Sequence, residues 1–194
     1  MKQITSWLVA IALFCLAVAP VRAADDSITP SRPPAAFPKG TWDVQATGTS
    51  AWEFYPYDHE KLATGSAGIG YYLADNFAAT LTVPVSHVRQ STRDATMVGL
   101  DLSLRYHFLQ RDRFTLFADL TGGLAQATHI VPPGGTYFNF TAQLGLGATY
   151  RLADHLDLAA GVHYFHLSNA AIRGINHNPD LNAAQPYVGV MFRF

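Results

Sequence analysis

Near the end of the chain, three residues whose side chains can do chemistry stand close together. His166, Ser168 and Asn169 follow the largely apolar run LDLAAGVHYF. An imidazole beside a hydroxyl can take up its proton and so activate the oxygen as a nucleophile. On a strand, residues two apart share one face and lie about 6.5 to 7 Å apart along the backbone, whereas on a helix they face away from each other. The pair formed by His166 and Ser168 therefore needs a strand to bring it together.

The first 23 residues are typical of a secretory signal peptide. Lys2 is followed by the apolar run WLVAIALFCLAVA, which is short for a membrane span and precedes small residues around Ala23. Cys15, the only cysteine, lies inside this segment, and Phe14 precedes it where a lipoprotein signal has a small residue. We therefore expect an exported mature protein with no lipid anchor, no disulfide and no cysteine metal site.

The remaining chain divides into a short tail and one domain. Residues 24–39 contain four prolines and read as an extended tail, and residues 40–194 are long enough for a single domain. The net charge is −1 and 14% of the residues are charged, so nothing indicates a basic face for nucleic acid. No run of apolar residues after the signal peptide is long enough for a transmembrane helix.

Alternation of apolar and polar residues dominates the domain. FNFTAQLGLGATY (138–150) and VGLDLSLRYHF (98–108) each collect apolar side chains on one face and polar ones on the other, which indicates strands. Short polar turns at 73–76, 110–113 and 152–155 alternate with longer links, and counting between them gives eight strands. An even strand number with short turns at one end and long loops at the other is typical of outer-membrane barrels.

A soluble eight-stranded barrel such as a lipocalin is the alternative, because alternation does not say which face points outward. Three features favour the membrane barrel. The polar face is rich in Gly, Ser and Thr, which suits a narrow interior. Aromatic residues gather at the short-turn ends of strands, as in a membrane girdle: Tyr106, Phe108, Phe114 and Tyr150. The chain ends in YVGVMFRF, which resembles the assembly signal of bacterial outer-membrane proteins, so that Phe194 would engage the assembly machinery. We predict an all-β, eight-stranded antiparallel transmembrane β-barrel in the bacterial outer membrane.

The predicted strand from 156 to 168 places the chemical residues. Leu156 to Tyr164 supply the lipid face at every second position, and His166 and Ser168 continue it, while His163 and Phe165 point inward. Twelve steps of about 3.3 Å, tilted near 40°, climb on the order of 30 Å, which puts Ser168 at the outer rim of the apolar band. A plainer interpretation is that these polar residues only mark where the strand leaves the membrane.

The motif His166-Leu-Ser168-Asn169-Ala170, on the penultimate strand of eight, resembles that of the lipid A deacylase family of outer-membrane acyloxyacyl hydrolases (the PagL type). Those enzymes carry an H-x-S-N signature followed by an N-x-G-x-acid segment, and remove an ester-linked acyl chain from lipid A. The resemblance is specific over residues 165–182 and extends to the first six strands in architecture only. It implies a carboxylic ester hydrolase whose partner is the lipid A, or lipopolysaccharide, of the outer leaflet.

The resemblance also implies a role for each residue. Ser168 would attack the ester carbonyl, and His166 would take its proton and return it to the leaving sugar oxygen. Asn169 would donate its side-chain amide to the oxyanion, together with the backbone N–H of Ala171.

The third catalytic member has two candidates, because the family's acid segment here reads NPDLN. Alignment by motif gives Asn182, whereas counting without gaps from Ser168 gives Asp180. We favour Asp180, since a carboxylate both orients the imidazole and stabilises its charged form, and keep Asn182 as the alternative.

Other interpretations and residues complete the expectations. The runner-up functions are a non-enzymatic small barrel for adhesion or envelope integrity, and an outer-membrane phospholipase. We expect no metal and no cofactor, and the sequence is compatible with a homodimer. Three further histidines read as interface or lumen residues: His155, His163 and His177. Asp101, Arg105 and Asp119 share the inward face, and we predict that they form a packed polar network, because buried charges must pair.

Overall fold

The computed structural model describes residues 35–54 and 60–194, which form a closed barrel of eight antiparallel strands. The strands are β1 (Trp42–Glu53), β2 (Lys61–Ala74), β3 (Phe77–Arg89), β4 (Ala95–Arg111), β5 (Phe114–Val131), β6 (Thr136–Ala153), β7 (Leu156–Ser168) and β8 (Asp180–Arg193). Each pairs with its neighbour in sequence, and β8 pairs with β1 to close the sheet. The predicted eight-stranded barrel is confirmed. The predicted signal peptide, most of the predicted tail and residues 55–59 lie outside the described residues.

The connections differ between the two ends of the barrel. Two residues separate β2 from β3, β4 from β5, and β6 from β7, at the turns that the sequence predicts; this is the short-turn end. Asn76 and Asp112 have φ of 64° and 45° there, the left-handed conformation that tight hairpins need. At the other, long-loop end, residues 169–179 connect β7 to β8 and contain a short 3₁₀ helix, Ile175–His177. In the parts of the chain that the structure describes, no helix has the length and apolar character to cross a membrane.

The outer surface of the barrel is apolar. On β4 the side chains of Val98, Leu100 and Leu102 point outward, and Leu102 is 54% exposed. On β6, Leu144 and Leu146 do the same, and Leu146 is 61% exposed. An apolar outer surface of this extent suits hydrocarbon and would be unfavourable in water. The soluble alternative, which requires a polar exterior, is therefore contradicted.

The middle of the barrel interior is polar, and its charged side chains have ionic or hydrogen-bonding partners. Arg105 Nη2 donates to Asp119 Oδ2 at 3.2 Å, and His163 Nε2 lies 3.0 Å from Asp119 Oδ1. Asp101 accepts a hydrogen bond of 3.0 Å from the hydroxyl of Thr141. The predicted network is thus confirmed for Arg105 and Asp119, whereas neutral donors satisfy Asp101. His163 is a lumen residue, one of the two positions expected for it.

Apolar side chains fill the barrel on both sides of this polar middle. Twelve buried residues form one cluster towards the long-loop end, with Phe165, Leu167 and Leu181 among them. A second cluster lies at the short-turn end and includes Tyr72 and Met191. The cavity between them has a volume of about 90 Å³ and is lined mostly by polar side chains. The lumen therefore suits a few water molecules and does not suit an acyl chain.

Part of the predicted tail belongs to the barrel. Phe37, expected in the extended segment 24–39, is 1% exposed and stacks on Tyr72 with ring centroids 5.1 Å apart. Its N–H donates to Asn76 Oδ1 at 3.2 Å, and its carbonyl accepts from the Asn76 N–H at 2.7 Å. The proline content of the segment indicated an extended chain, but burial of one aromatic ring anchors its last residues in the short-turn end.

Candidate active site

Strand pairing brings the candidate residues to one place on the outer face of the barrel. In the register of β7 with β8, His166 lies opposite Asn182 and Ser168 lies opposite Asp180. Residues directly opposite on antiparallel strands have Cβ atoms about 4.5 to 5.5 Å apart. All four share the outward parity of Val162 on β7. The site therefore lies at the long-loop end and faces away from the lumen.

The structure brings His166 and Ser168 together as the sequence predicts. The imidazole Nε2 lies 3.1 Å from the Ser168 hydroxyl oxygen, which is hydrogen-bonding distance. Ser168 is the last residue of β7 and only 8% exposed, although it points outward. A hydroxyl within hydrogen-bonding distance of an imidazole is the arrangement by which a base activates a serine nucleophile.

The third member differs from the one we favoured. His166 Nδ1 lies 2.8 Å from Asn182 Oδ1, and 4.0 Å from the nearest Asp180 oxygen. Asp180 instead accepts a hydrogen bond of 2.9 Å from Asn182 Nδ2. The reason is the register of β7 with β8. Asn182 lies directly opposite His166, whereas Asp180 lies two residues nearer the long-loop end, opposite Ser168. The expected hydrogen bond between His166 and Asp180 is therefore corrected: Asn182 makes it, and Asp180 lies at ion-pair distance from the same ring nitrogen.

Tyr164 is a site residue that the sequence reasoning missed. Its hydroxyl donates to Asn182 Oδ1 at 2.5 Å, so that this oxygen faces both Tyr164 and His166. The Tyr164 ring stacks on Phe54, with centroids 6.0 Å apart and planes 12° apart. The signal was present in the sequence, because Tyr164 precedes His166 by two positions and shares its face, but it was read only as a lipid-facing residue.

The two predicted oxyanion donors are engaged in the loop. Asn169 Nδ2 donates to the carbonyl of His177 at 2.8 Å, and the Ala171 N–H donates to Asn169 Oδ1 at 3.0 Å. The Asn169 backbone N–H donates to Asn178 Oδ1 at 3.0 Å. These contacts bury Asn169 almost completely. In this structure both donors therefore hold the loop between β7 and β8, and their role at an oxyanion stays a prediction.

The backbone next to Asn169 is strained. Ala170 and Ala171 have φ of 52° and 60°, a left-handed conformation that costs a residue with a Cβ roughly 1 to 2 kcal/mol. The Asn169 carbonyl also accepts the Ile172 N–H at 3.2 Å. Strain of this kind persists where surrounding contacts impose it, and it concentrates at functional sites. The loop conformation is therefore set largely by Asn169.

His177 and His155, two of the histidines that the sequence singles out, lie apart from this cluster. His177 is exposed on the 3₁₀ helix, where only its backbone carbonyl contacts Asn169. His155 lies at a short turn, and its ring is 6.1 Å from that of Phe192. Within residues 35–54 and 60–194, no group of three or more His, Cys, Asp or Glu side chains could hold a metal ion. The two side chains of the cluster that can exchange a proton are Ser168 and His166, and Asn182 lies at hydrogen-bonding distance from the other imidazole nitrogen.

Comparison with known proteins identifies the fold. Neisserial surface protein A is similar in structure, with a TM-score of 0.64 and 16% identity over 80% of this chain and 100% of that one. OprG from Pseudomonas aeruginosa has a TM-score of 0.53 and 12% identity over 81% of this chain and 97% of that one. The outer membrane enzyme PagL has a TM-score of 0.53 and 14% identity over 76% of this chain and 97% of that one. At these identities the likeness shows the fold alone, and it includes both a surface protein and an enzyme.

Sequence comparison assigns the family. No curated protein matches the chain significantly. The family model of the outer membrane protein beta-barrel domain matches residues 9–194. Because this match spans nearly the whole chain, the protein belongs to the outer membrane protein β-barrel domain family.

Proposed function

We propose that this protein is a serine ester hydrolase of the bacterial outer membrane that removes an ester-linked 3-hydroxyacyl chain from lipid A. The observation that carries the proposal is the line of contacts from Ser168 through His166 to Asn182, at 3.1 and 2.8 Å, on the outward face of β7 and β8. A site that faces the membrane and not the lumen calls for a substrate that lies in the bilayer.

The geometry supports a two-step mechanism. His166 Nε2 takes the proton of Ser168 as the serine oxygen attacks the ester carbonyl, and the imidazolium then protonates the departing sugar oxygen. The product of this step is an acyl-serine. Water then attacks that ester with His166 again as the base, which releases the fatty acid and restores Ser168.

Asn182 sets the direction of proton transfer. Its Oδ1 accepts a hydrogen bond from the N–H of His166 Nδ1, so the Nε2 lone pair is left facing Ser168. An amide orients the imidazole but does not stabilise its positive charge as a carboxylate does. Asp180 accepts a hydrogen bond from Asn182 Nδ2 and lies 4.0 Å from His166 Nδ1, so its carboxylate supplies the negative charge. The site is thus a Ser–His pair in which Asn182 orients the histidine and Asp180 accepts a hydrogen bond from Asn182.

The oxyanion remains to be stabilised. An asparagine amide has two donor hydrogens, and the contact with the His177 carbonyl uses one of them. We propose that Asn169 gives the second to the oxyanion. The Ala171 N–H donates to Asn169 Oδ1 in this structure, so its predicted role requires this hydrogen bond to be exchanged for one to the oxyanion.

The surroundings of the site suit an acyl chain. Below His166 the outward face of β7 continues with Tyr164 and Val162, and β6 presents Leu144 opposite Tyr164. An acyl chain lying against this wall would bring its ester to the level of Ser168. Lipid A is the substrate favoured by the H-x-S-N motif and by the long-loop end, which faces the outer leaflet in barrels of this kind.

Two other functions remain as alternatives. An outer-membrane phospholipase would use the same residues, because phospholipids carry similar esters. A non-enzymatic barrel for adhesion or envelope integrity would need polar residues at the rim but no connected set. The single line of contacts joining Ser168, His166, Asn182 and Asp180 disfavours that second alternative.

Mass spectrometry of lipid A tests the proposal in cells. Cells expressing the protein should contain lipid A lighter by one hydroxyacyl chain, and cells expressing Ser168→Ala should not. Ser91→Ala, which removes an exposed serine hydroxyl in the loop between β3 and β4, is the matched control and should act like the wild type. Each variant should retain the change in gel migration on boiling that marks a folded barrel. Identical lipid A with and without the protein would refute the proposal.

A further inference from the structure

The Asn182 side chain can orient His166 in one direction only. The two ends of an amide have almost the same shape, but the oxygen accepts hydrogen bonds and the nitrogen donates them. With Oδ1 towards His166 Nδ1, that nitrogen carries the proton and Nε2 is free to act as a base. With the amide turned over, Nδ2 would donate to Nδ1, the imidazole proton would move to Nε2, and Ser168 could not be deprotonated.

Two neighbours of Asn182 distinguish these orientations. Asp180 Oδ2 lies 2.9 Å from Asn182 Nδ2, and an ionised carboxylate can only accept, so it would repel the oxygen of a turned amide. The Tyr164 hydroxyl lies 2.5 Å from Asn182 Oδ1 and donates to it. A hydroxyl can also accept, so Tyr164 discriminates less strictly, but its stacking on Phe54 fixes where the hydroxyl lies.

We propose that Asp180 and Tyr164 are positioning residues that hold the Asn182 amide in its productive orientation and thereby fix the proton of His166 on Nδ1. The proposal rests on the proposed Ser–His mechanism for its effect on turnover. In this proposal Tyr164, an outward-facing tyrosine of β7, affects catalysis through Asn182 and His166. It also gives Asp180 a role in addition to its 4.0 Å ion pair with the imidazole.

A double-mutant cycle tests the proposal through turnover. In the wild-type background, Tyr164→Phe keeps the ring but removes the hydroxyl, and should lower kcat about tenfold with KM changed less than about twofold. In the exchanged variant Asp180→Asn/Asn182→Asp, residue 182 is a carboxylate whose two oxygens are equivalent, so it has no wrong orientation. There Tyr164→Phe should change kcat less than about twofold. An equal loss in both backgrounds would overturn the proposal.

A measurement on the histidine itself separates this proposal from the proposed function. Nitrogen-15 NMR of the detergent-solubilised barrel, with the His166 signals assigned by their loss in His166→Gln, reports which ring nitrogen carries the proton. The wild type should show the proton on Nδ1, and Tyr164→Phe and Asp180→Asn should each move part of it to Nε2. Tyr137→Phe, which alters an exposed tyrosine of β6, is the matched control and should leave the signals unchanged.

The outcomes are distinguishable. Unchanged His166 signals in both Tyr164→Phe and Asp180→Asn would overturn the positioning proposal, whatever the activity of the wild type. An altered proton position in a protein with no Ser168-dependent ester hydrolysis would support the positioning proposal and refute the proposed function.

Discussion

Two histidines of β7 lie only three residues apart and differ in what surrounds them. His163 points into the lumen, where Nε2 meets the buried carboxylate of Asp119 at 3.0 Å and the ring stacks on Tyr187. His166 points outward, with Ser168 on one ring nitrogen and Asn182 on the other. His163 has the stronger acid partner, but apolar clusters lie on either side of it in the barrel interior. We therefore propose catalysis at His166, which has a neighbouring hydroxyl and faces outward, and a structural role for His163 despite its carboxylate contact.

Removing the lumen acid should produce the larger effect on stability. Asp119→Ala leaves Arg105 and His163 buried without their partner, and breaking a buried ion pair typically costs about 3 to 5 kcal/mol. Denaturant unfolding followed by gel migration measures this loss, while ester hydrolysis per folded molecule should stay unchanged.

The matched control for Asp119 is an exposed acid. Asp94 Oδ2 lies 3.6 Å from His87 Nε2, and both side chains are about half exposed. Asp94→Ala should therefore lower the free energy of unfolding by no more than about 1 kcal/mol. If Asp119→Ala lowered turnover while leaving stability unchanged, the division between a structural lumen and a catalytic outer face would be wrong.

At the outer site, removing Asn182 should reduce turnover more than altering Asp180. Asn182→Ala deletes the acceptor on His166 Nδ1, and we expect a loss of about a hundredfold or more. Asp180→Asn keeps Asn182 but removes the carboxylate that selects the orientation of the Asn182 amide, so turnover should fall about tenfold. Steady-state hydrolysis of a soluble ester by purified protein measures both.

The reverse ranking would restore Asp180 as the direct partner of the imidazole. Neither substitution should change the gel migration of the folded barrel, since both residues lie at the rim and Asp180 is more than half exposed.

The sequence predicts the barrel well because alternation is a property of every strand. It also predicts that His166 and Ser168 meet, since residues two apart on one strand need no information from elsewhere. The partner of His166 lies on β8, and the choice between Asp180 and Asn182 depends on the register across an eleven-residue connection, residues 169–179. Register is set by the fold of that loop and the packing of both strands, which the motif does not contain.

Two other features escaped prediction for different reasons. The proline content of residues 24–39 indicates an extended chain but gives no sign that Phe37 enters the barrel, because burial of a single ring depends on the space inside the short-turn end. The contacts of Asn169 depend on how the loop folds over it, in particular on the carbonyl of His177. Motif similarity assigns an asparagine a role, and the orientation of its amide comes only from its neighbours.

The most direct test is acid release from vesicles that contain both lipid A and phospholipid. Purified wild-type barrel should release a 3-hydroxy fatty acid from lipid A, and Ser168→Ala should lower the rate by at least about a thousandfold while remaining folded. Release of only non-hydroxylated fatty acids would instead indicate a phospholipase. Equal release by the wild type and Ser168→Ala, or none by either, would contradict the assignment of Ser168 as the nucleophile of a lipid A deacylase.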